Sequence, residues 1–85
     1  MYYVYLLRSP KNKDVYIGFS DDLKNRVKSH NLGKVKSTKG YRPWTLAYYE
    51  AYKAKSDASK RERELKLHAA KKVLLSRLEN SIKEW

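Results

Sequence analysis

Two stretches near the start of the chain decide its fold: YYVYLLR at residues 2–8 and VYIGF at residues 15–19. Both alternate between two faces and are rich in strand-forming residues, which predicts two β-strands. The segment SPKNKD between them contains Pro10 and Asn12, which are typical turn residues. The two strands are therefore predicted to pair as an antiparallel hairpin.

The period-two geometry of a strand divides the side chains of this hairpin between two faces. The face predicted to enter the core carries Val4, Leu6, Val15, Ile17 and Phe19. Tyr5 and Tyr16 fall together on the opposite face, which we expect to be the wetter one because tyrosine combines an apolar ring with a polar hydroxyl. Gly18 shares that face and leaves room for another group to approach.

A short helix is predicted to follow the hairpin. Ser20 or Asp21 is positioned to cap its N-terminus, the helix runs to about Asn31, and Gly33 ends it as a C-terminal glycine. Its inward-facing residues are predicted to be Leu23 and Val27. Residues 33–43 then form a basic loop.

The second half of the chain predicts one more strand and further helices. WTLAYYEAY, residues 44–52, has the composition of a third strand. Ser56 or Asp57 is positioned to cap a helical region that runs to Trp85 with a break near LHAA. The buried stripe of its last helix is predicted to be Leu74, Leu75, Leu78 and Ile82. The order β-β-α-β-α-α predicts an α+β domain in which helices flank a three-stranded antiparallel sheet.

Composition limits the class of protein. The 85 residues suffice for one domain, predicted to span residues 1–85. The absence of cysteine excludes disulfides and thiolate metal sites, and two histidines make a structural zinc site improbable. No apolar run approaches the roughly 20 residues that span a bilayer, and the N-terminal apolar run lacks the pattern of a signal peptide. A cytoplasmic location without a membrane partner is therefore expected.

The charge balance predicts a polyanionic partner. There are 20 Lys and Arg residues against 9 Asp and Glu residues, a formal net charge of +11, which indicates nucleic acid and leaves DNA and RNA both open. An anionic membrane is the competing partner, but no predicted helix has the bulky apolar face that membrane binding needs. The residues predicted to contact nucleic acid are Lys24, Lys28, Lys34, Lys36, Lys39, Arg42, Lys60 and Arg61.

Arg26 and His30 are the candidates for chemistry on the first helix, because positions four residues apart share one helix face. Each also has an ordinary explanation. A helix arginine is usually a solvated surface charge. A histidine in the last turn often only interacts favourably with the negative end of the helix dipole. Both explanations stay open at the level of the single residue.

Glu62 is the acidic candidate. It lies in the basic segment KSDASKRERELK, and the spacing of Ala58, Glu62 and Leu65 places it on the inward stripe of that helix. A carboxylate there is expected to have a cation as partner. The alternative is an ordinary surface ion pair with Lys66, which stabilises a helix by about 0.3 kcal/mol.

The order of these motifs resembles the GIY-YIG nuclease superfamily. YVY at residues 3–5 is followed after ten residues by YIG at residues 16–18, and Arg26, His30 and Glu62 come later in that order. YIGFSDDLKNRVKSHNLGK is similar to the family's tyrosine strand and arginine helix, STKGYRPWTLAYYEAY to its basic loop and third strand, and ASKRERELK to its glutamate helix. The match is to small stand-alone members, which resemble the N-terminal nuclease domain of the excision-repair endonuclease.

The resemblance implies a metal-dependent endonuclease that hydrolyses phosphodiester bonds in DNA during repair or processing, with structured or damaged DNA among the candidate substrates. The implied catalytic residues are Tyr5, Tyr16, Arg26, His30 and Glu62. Tyr5 would lie near the hydrolytic water, Arg26 would pair with the scissile phosphate, and Glu62 would hold one Mg²⁺ or Mn²⁺ ion. Because Arg26 and the net charge would stabilise a phenolate, the pKa of Tyr5 is expected to be lowered.

Some positions depart from the family pattern. Tyr3 replaces the first glycine of the first triplet, Ser37 stands where a tyrosine often precedes Thr38, and Asn80 is the only candidate for a late asparagine. The alternative function is a basic nucleic-acid-binding module that keeps the fold without cleavage. A weak homodimer or a partner protein is expected to supply specificity.

Overall fold

The structure is a computed structural model that describes residues 1–83. Within these residues three strands form one antiparallel sheet in the order β2-β1-β3, so the N-terminal strand is central. The strands are β1 (Tyr2–Ser9), β2 (Asn12–Ser20) and β3 (Thr45–Tyr52). The α-helices are α1 (Leu23–Asn31), α2 (Lys55–Leu65), α3 (His68–Arg77) and α4 (Glu79–Lys83), and one turn of 3-10 helix spans Lys39–Tyr41. The predicted α+β class and element order are confirmed.

The helical region after β3 is divided as the sequence predicts. The break near LHAA falls at Lys66 and Leu67, between α2 and α3, and a second break at Leu78 separates α4. Core contacts of the predicted stripe are made by Leu74, Leu75 and Leu78. The predicted helix end at Trp85 lies outside the described residues. In the part of the chain that the structure describes, no helix has the length and apolarity to cross a membrane.

The first hairpin turns more tightly than the sequence predicts. Two residues, Pro10 and Lys11, make the reversal, and β2 begins at Asn12 rather than at Val15. The hydroxyl of Ser9 accepts a hydrogen bond from the Lys11 N–H at 3.0 Å, which closes the turn locally. Asn12, the first residue after the turn, pairs with Ser9 in the ladder.

Helix α1 begins slightly later than predicted. Asp22 is its N-cap and accepts the N–H of Asn25 at 3.3 Å. Ser20 instead accepts the N–H of Asp22 at 3.0 Å and orders the turn before the helix. The predicted C-terminal glycine is confirmed, because Gly33 has a φ of 78°, in the left-handed region that glycine enters most easily.

Helix α2 begins without a side-chain cap. Ala54 occupies the cap position, and the predicted caps Ser56 and Asp57 lie inside the first turn, so that prediction is wrong. Asp57 is still favourable there, because a carboxylate in the first turn complements the positive end of the helix dipole. The helix itself is confirmed.

Helices cover both faces of the sheet. On one face, α2 and α3 pack around Val4, Leu6, Ile17, Ala58, Leu65 and Leu74. On the other face, Trp44 packs against Tyr5 and Leu7, together with Leu23 and Val27 of α1. Tyr5 is only 1% exposed, so the prediction of a wetter face around it is wrong. Trp44 comes from a loop far along the chain, and strand alternation cannot reveal such a cover.

The loop between α1 and β3 is anchored to the end of the helix. The Asn31 side chain accepts the Trp44 N–H at 2.6 Å and donates to the Trp44 carbonyl at 2.9 Å. The indole N–H of Trp44 donates to the carbonyl of Thr38 at 2.8 Å. These bonds hold Thr38, which is fully buried, close to the last turn of α1.

Candidate active site

Tyr5 lies directly opposite Gly18 in the ladder of β1 and β2, and its ring extends over the glycine. A β-carbon at Gly18 would lie 2.8 Å from Cε2 of Tyr5 and closer still to the hydroxyl end of the ring. Glycine is therefore required for the ring to lie where it does. The space that the sequence predicts above Gly18 is filled by Tyr5 itself.

His30 connects the central strand to the loop. Its Nε2 atom lies 2.8 Å from the Tyr5 hydroxyl, and its Nδ1 atom lies 2.7 Å from the Thr38 hydroxyl. Neither His30 nor Thr38 has any exposed surface. A histidine that only faced the helix dipole from the surface would be exposed, so that explanation does not apply.

Tyr16 and Arg26 complete what we term the tyrosine–arginine cluster, which consists of Tyr5, Tyr16, Arg26 and His30. The Tyr16 ring packs edge-on against His30 with centroids 4.9 Å apart. The Arg26 guanidinium interacts with the hydroxyl groups of Tyr5 and Tyr16. Its buried Nε–H has no hydrogen-bond partner among the described residues. An unpaired buried donor is costly, and an incoming anion would relieve that cost.

Burial decides the protonation of this cluster. It lowers the pKa of His30 from 6.5 to about 4, and the positive charge of Arg26 acts in the same direction. Burial also raises the pKa of Tyr5, and this effect exceeds the opposing effect of Arg26. The expectation of a lowered Tyr5 pKa is therefore wrong for the free protein. Near neutral pH the two groups are a neutral phenol and a neutral imidazole.

Glu62 lies on α2 and not on the strands and helix that carry the cluster. Its side chain is 23% exposed, and Oε2 lies 3.2 Å from Nζ of Lys66, so the alternative ion pair is formed. The charge of Glu62 still reaches the cluster, because after burial and the Tyr16 charge it helps to raise the pKa of Tyr5. Among the described residues, no group of three or more histidine or acidic side chains could hold a metal ion.

The predicted nucleic-acid-binding residues fall into two groups. The exposed ones are Lys24, Lys28, Lys34, Lys36, Lys39 and Lys60. The two arginines are half-buried and engaged within the protein. Arg61 donates to both oxygens of Glu50 at 2.9 and 3.1 Å, and the Nε–H of Arg42 donates to a backbone carbonyl at 2.9 Å. The exposed lysines are therefore the better-placed contacts for a phosphate backbone.

Thr38 and Trp44 belong to the site and escape prediction from the sequence. Both lie in or next to the basic loop, where no periodicity indicates which side chains are buried. The tryptophan is the one usable signal, because a large aromatic residue at the end of a basic loop favours a buried contact. Ser37 and Asn80, which the family pattern singles out, are both exposed.

Comparison with known proteins identifies the class to which this fold and cluster correspond. A family model described as the GIY-YIG catalytic domain matches residues 1–75, and the chain belongs to the GIY-YIG family. The domain is a nuclease fold that implies a nucleic acid substrate. GIY-YIG nucleases are generally dependent on divalent metal ions.

Within that class the chain is similar to proteins named UPF0213. It is 36% identical over 74 residues to one from Staphylococcus haemolyticus and 39% identical over 74 residues to one from Staphylococcus aureus. Each match covers 86% of this chain and 89% of the relative. The solution NMR structure of a UPF0213 protein from Bacillus halodurans matches with a TM-score of 0.56 and 34% identity, covering 89% of this chain and 84% of that one. The resemblance to small stand-alone members is confirmed.

Proposed function

We propose that this protein is a metal-dependent endonuclease that hydrolyses phosphodiester bonds in DNA, in repair or processing in the cytoplasm, with structured or damaged DNA as the candidate substrate. The 2.8 Å contact between Tyr5 and His30 beside Arg26 carries the proposal. It places a proton acceptor, His30, close to Arg26, whose guanidinium is suited to bind phosphate. We also propose that residues 1–85 form the single domain with this activity.

The contact with His30 gives Tyr5 a route to act as a base. In hydrolysis a water oxygen attacks phosphorus in line with the P–O3′ bond, which then breaks. A protonated phenol is a poor acceptor for the water proton. Because Nε2 of His30 lies 2.8 Å away, Tyr5 can pass its own proton to the imidazole as it takes one from water. Burial keeps that imidazole unprotonated near neutral pH, so Nε2 can accept a hydrogen bond, but the low pKa makes it a weak base in the free protein.

Arg26 is the proposed phosphate-binding residue. A guanidinium can donate two parallel hydrogen bonds to phosphoryl oxygens and stabilise the charge that develops on them. A bound phosphate would also offset the Arg26 charge, which together with burial keeps the pKa of His30 low. Substrate binding would therefore make His30 a better proton acceptor when cleavage requires one.

Glu62 is the proposed ligand for Mg²⁺ or Mn²⁺. Its donor atoms are carboxylate oxygens, and Mg²⁺ in proteins commonly binds one or two carboxylates together with phosphate and water. Lys66, which pairs with Glu62 at 3.2 Å, has a side chain 55% exposed and can turn into solvent. When bound, the ion would stabilise the negative charge of the leaving O3′ atom.

The exposed lysines are proposed to hold the DNA through its phosphates. Such contacts fix the position of the duplex and carry no sequence information. We therefore propose that selectivity comes from the structure of the DNA and from a weak homodimer or a partner protein.

A nucleic-acid-binding module without catalysis is the second candidate, and one observation favours it. Tyr5 is 1% exposed, so its hydroxyl cannot reach an outside water until the cluster opens. A binding module needs only the exposed lysines, whereas the nuclease also needs Tyr5, Arg26 and Glu62. The two candidates therefore predict different outcomes for substitutions at these residues.

Glu62→Gln distinguishes them. Wild-type protein should nick supercoiled and branched DNA when Mg²⁺ or Mn²⁺ is added. E62Q should nick roughly 100-fold more slowly, because a neutral amide is a far weaker ligand for a hard cation. Its metal-free DNA binding, measured by fluorescence anisotropy in EDTA, should be unchanged or tighter because a negative charge has been removed.

Lys66→Gln is the matched control, since it breaks the same ion pair and keeps the carboxylate. K66Q should nick at the wild-type rate. Equal losses in E62Q and K66Q would assign Glu62 to its ion pair and reject its role as metal ligand. Wild-type protein that binds DNA and never nicks it would favour the binding module.

A further inference from the structure

We infer that Thr38 is a positioning residue whose hydroxyl holds His30 in the tautomer that can accept the Tyr5 proton. Its oxygen lies 2.7 Å from Nδ1 of His30, and the residue is fully buried. The assignment of the His30 tautomer follows from hydrogen-bond geometry. Its consequence for cleavage rests on the proposed function. Thr38 would act only through His30.

The hydrogen bonds of Thr38 show in which direction each hydrogen bond of His30 runs. A backbone carbonyl can only accept, and the Thr38 hydroxyl donates to the carbonyl of Val35 at 3.3 Å. With its hydrogen committed to Val35, the Thr38 oxygen accepts from His30, so Nδ1 carries the ring proton. A neutral imidazole has one N–H, which leaves Nε2 as an acceptor.

The hydrogen bonds on the sheet side give the same direction independently. A guanidinium can only donate, so Arg26, which interacts electrostatically with the Tyr5 hydroxyl, offers no acceptor for the hydrogen of that hydroxyl. The hydrogen of the Tyr5 hydroxyl then needs an acceptor, and Nε2 of His30 lies 2.8 Å away. The reverse tautomer would direct an N–H at Tyr5 and leave its buried hydroxyl hydrogen without that acceptor.

The backbone of Thr38 is held in place relative to the helix that carries His30. Its carbonyl accepts the indole N–H of Trp44 at 2.8 Å. Trp44 is in turn tied by two backbone hydrogen bonds to the side chain of Asn31, the last residue of α1. A residue that sets a tautomer must itself be fixed, and these bonds provide that support.

Nitrogen NMR tests the tautomer without requiring cleavage. In wild-type protein at neutral pH, long-range ¹H–¹⁵N spectra should show His30 protonated at Nδ1 and unprotonated at Nε2, with the exposed His68 as internal reference. T38V should shift His30 toward the Nε2–H tautomer, and T38S, which keeps the hydroxyl, should retain the wild-type pattern. A wild-type His30 protonated at Nε2 would overturn the inference, whether or not the protein cleaves DNA.

Cleavage supplies the second measurement. T38V should lower kcat roughly 10- to 100-fold with little change in KM, because the base is misdirected while the phosphate contacts remain. T38S should restore most of the rate, and T45V, the same substitution at the exposed start of β3, should cleave as wild type. T38V with the wild-type tautomer and rate would overturn the inference. The expected tautomer in a wild-type protein that cleaves nothing supports Thr38 as the tautomer-setting residue and rejects the nuclease proposal alone.

Discussion

The Tyr5 hydroxyl and Nε2 of His30 lie 2.8 Å apart inside a protein with a net charge of +11, yet both side chains are uncharged near neutral pH. Burial raises the pKa of the phenol and lowers the pKa of the imidazole. At the scale of the residue, local desolvation therefore outweighs the overall charge. What the cluster gains from burial is a fixed direction for each hydrogen bond.

Gly18→Ala tests how closely Tyr5 is positioned. The added β-carbon would overlap the Tyr5 ring, so the ring must move away from His30. We expect G18A to lose about 1–3 kcal/mol of unfolding free energy through overpacking, and to lose nicking activity with the Tyr5–His30 contact. Urea denaturation measures the loss of stability, and nicking of supercoiled DNA measures the loss of activity.

Gly40→Ala is the control for this prediction, because a β-carbon at Gly40 meets nothing within 4 Å. G40A should unfold at nearly the wild-type urea concentration. If G18A and G40A were equally stable and equally active, the ring of Tyr5 would not be held against the strand as described.

At the scale of the element, a partly buried network joins β3 to α2. Glu50 accepts hydrogen bonds from Arg61 at 2.9 and 3.1 Å and from the hydroxyl groups of Tyr48 and Tyr52. Burial alone would raise the pKa of Glu50, but these three donors hold it below its ordinary value. The network therefore keeps a charged carboxylate in place and fixes the helix on which Glu62 lies.

Glu50→Ala should destabilise the fold by about 2–3 kcal/mol, because Arg61 and two tyrosine hydroxyls lose their shared partner. The cost is expected to be below that of a fully buried pair, since the Arg61 side chain is 30% exposed. Chemical denaturation of the purified variant measures it.

Glu64→Ala provides the matched comparison, because Glu64 is the other carboxylate on Arg61, at 3.4 Å, and its side chain is 45% exposed. A surface pair of this kind contributes at most about 0.5 kcal/mol. Equal losses in E50A and E64A would show that the Glu50 network does not hold α2.

At the scale of the whole molecule, His30 makes stability depend on pH. The unfolded chain takes up a proton on this histidine near pH 6.5, whereas the folded protein does so only near pH 4. The unfolded state therefore binds more protons between these values, and stability falls as the pH is lowered through them. Denaturant titrations should show a loss of about 2 kcal/mol between pH 7 and pH 5.

His68→Asn assigns the pH dependence to His30, because it removes the other histidine of the chain, which is exposed on α3. H68N should keep the wild-type dependence on pH. The carboxyl groups of Asp14 and Glu50 have pKa values lowered from 3.8 and 4.5, so their main effect lies below this window. A stability that stayed constant from pH 7 to pH 5 would contradict a buried neutral His30.

The secondary-structure elements, their order and the small set of candidate residues can be predicted from the sequence. Strand alternation predicts β1 and β2, Gly33 ends α1, and the ordered motifs single out Tyr5 and His30, which the structure brings together. These features are readable because they depend on neighbours a few positions away along the chain. Exact boundaries, such as the two-residue turn and the cap of α2, depend on hydrogen bonds that several residues could make.

The surroundings of those residues could not be predicted and are known from the three-dimensional fold. Tyr5 is buried because Trp44 and α1 cover it, and His30 reaches Thr38 because Trp44 ties the loop to the helix. Arg61 bonds to Glu50 and does not turn to solvent, because the fold places α2 beside β3. Burial, pKa and hydrogen-bond direction arise from contacts between residues far apart in the chain, and local sequence patterns carry no record of those contacts.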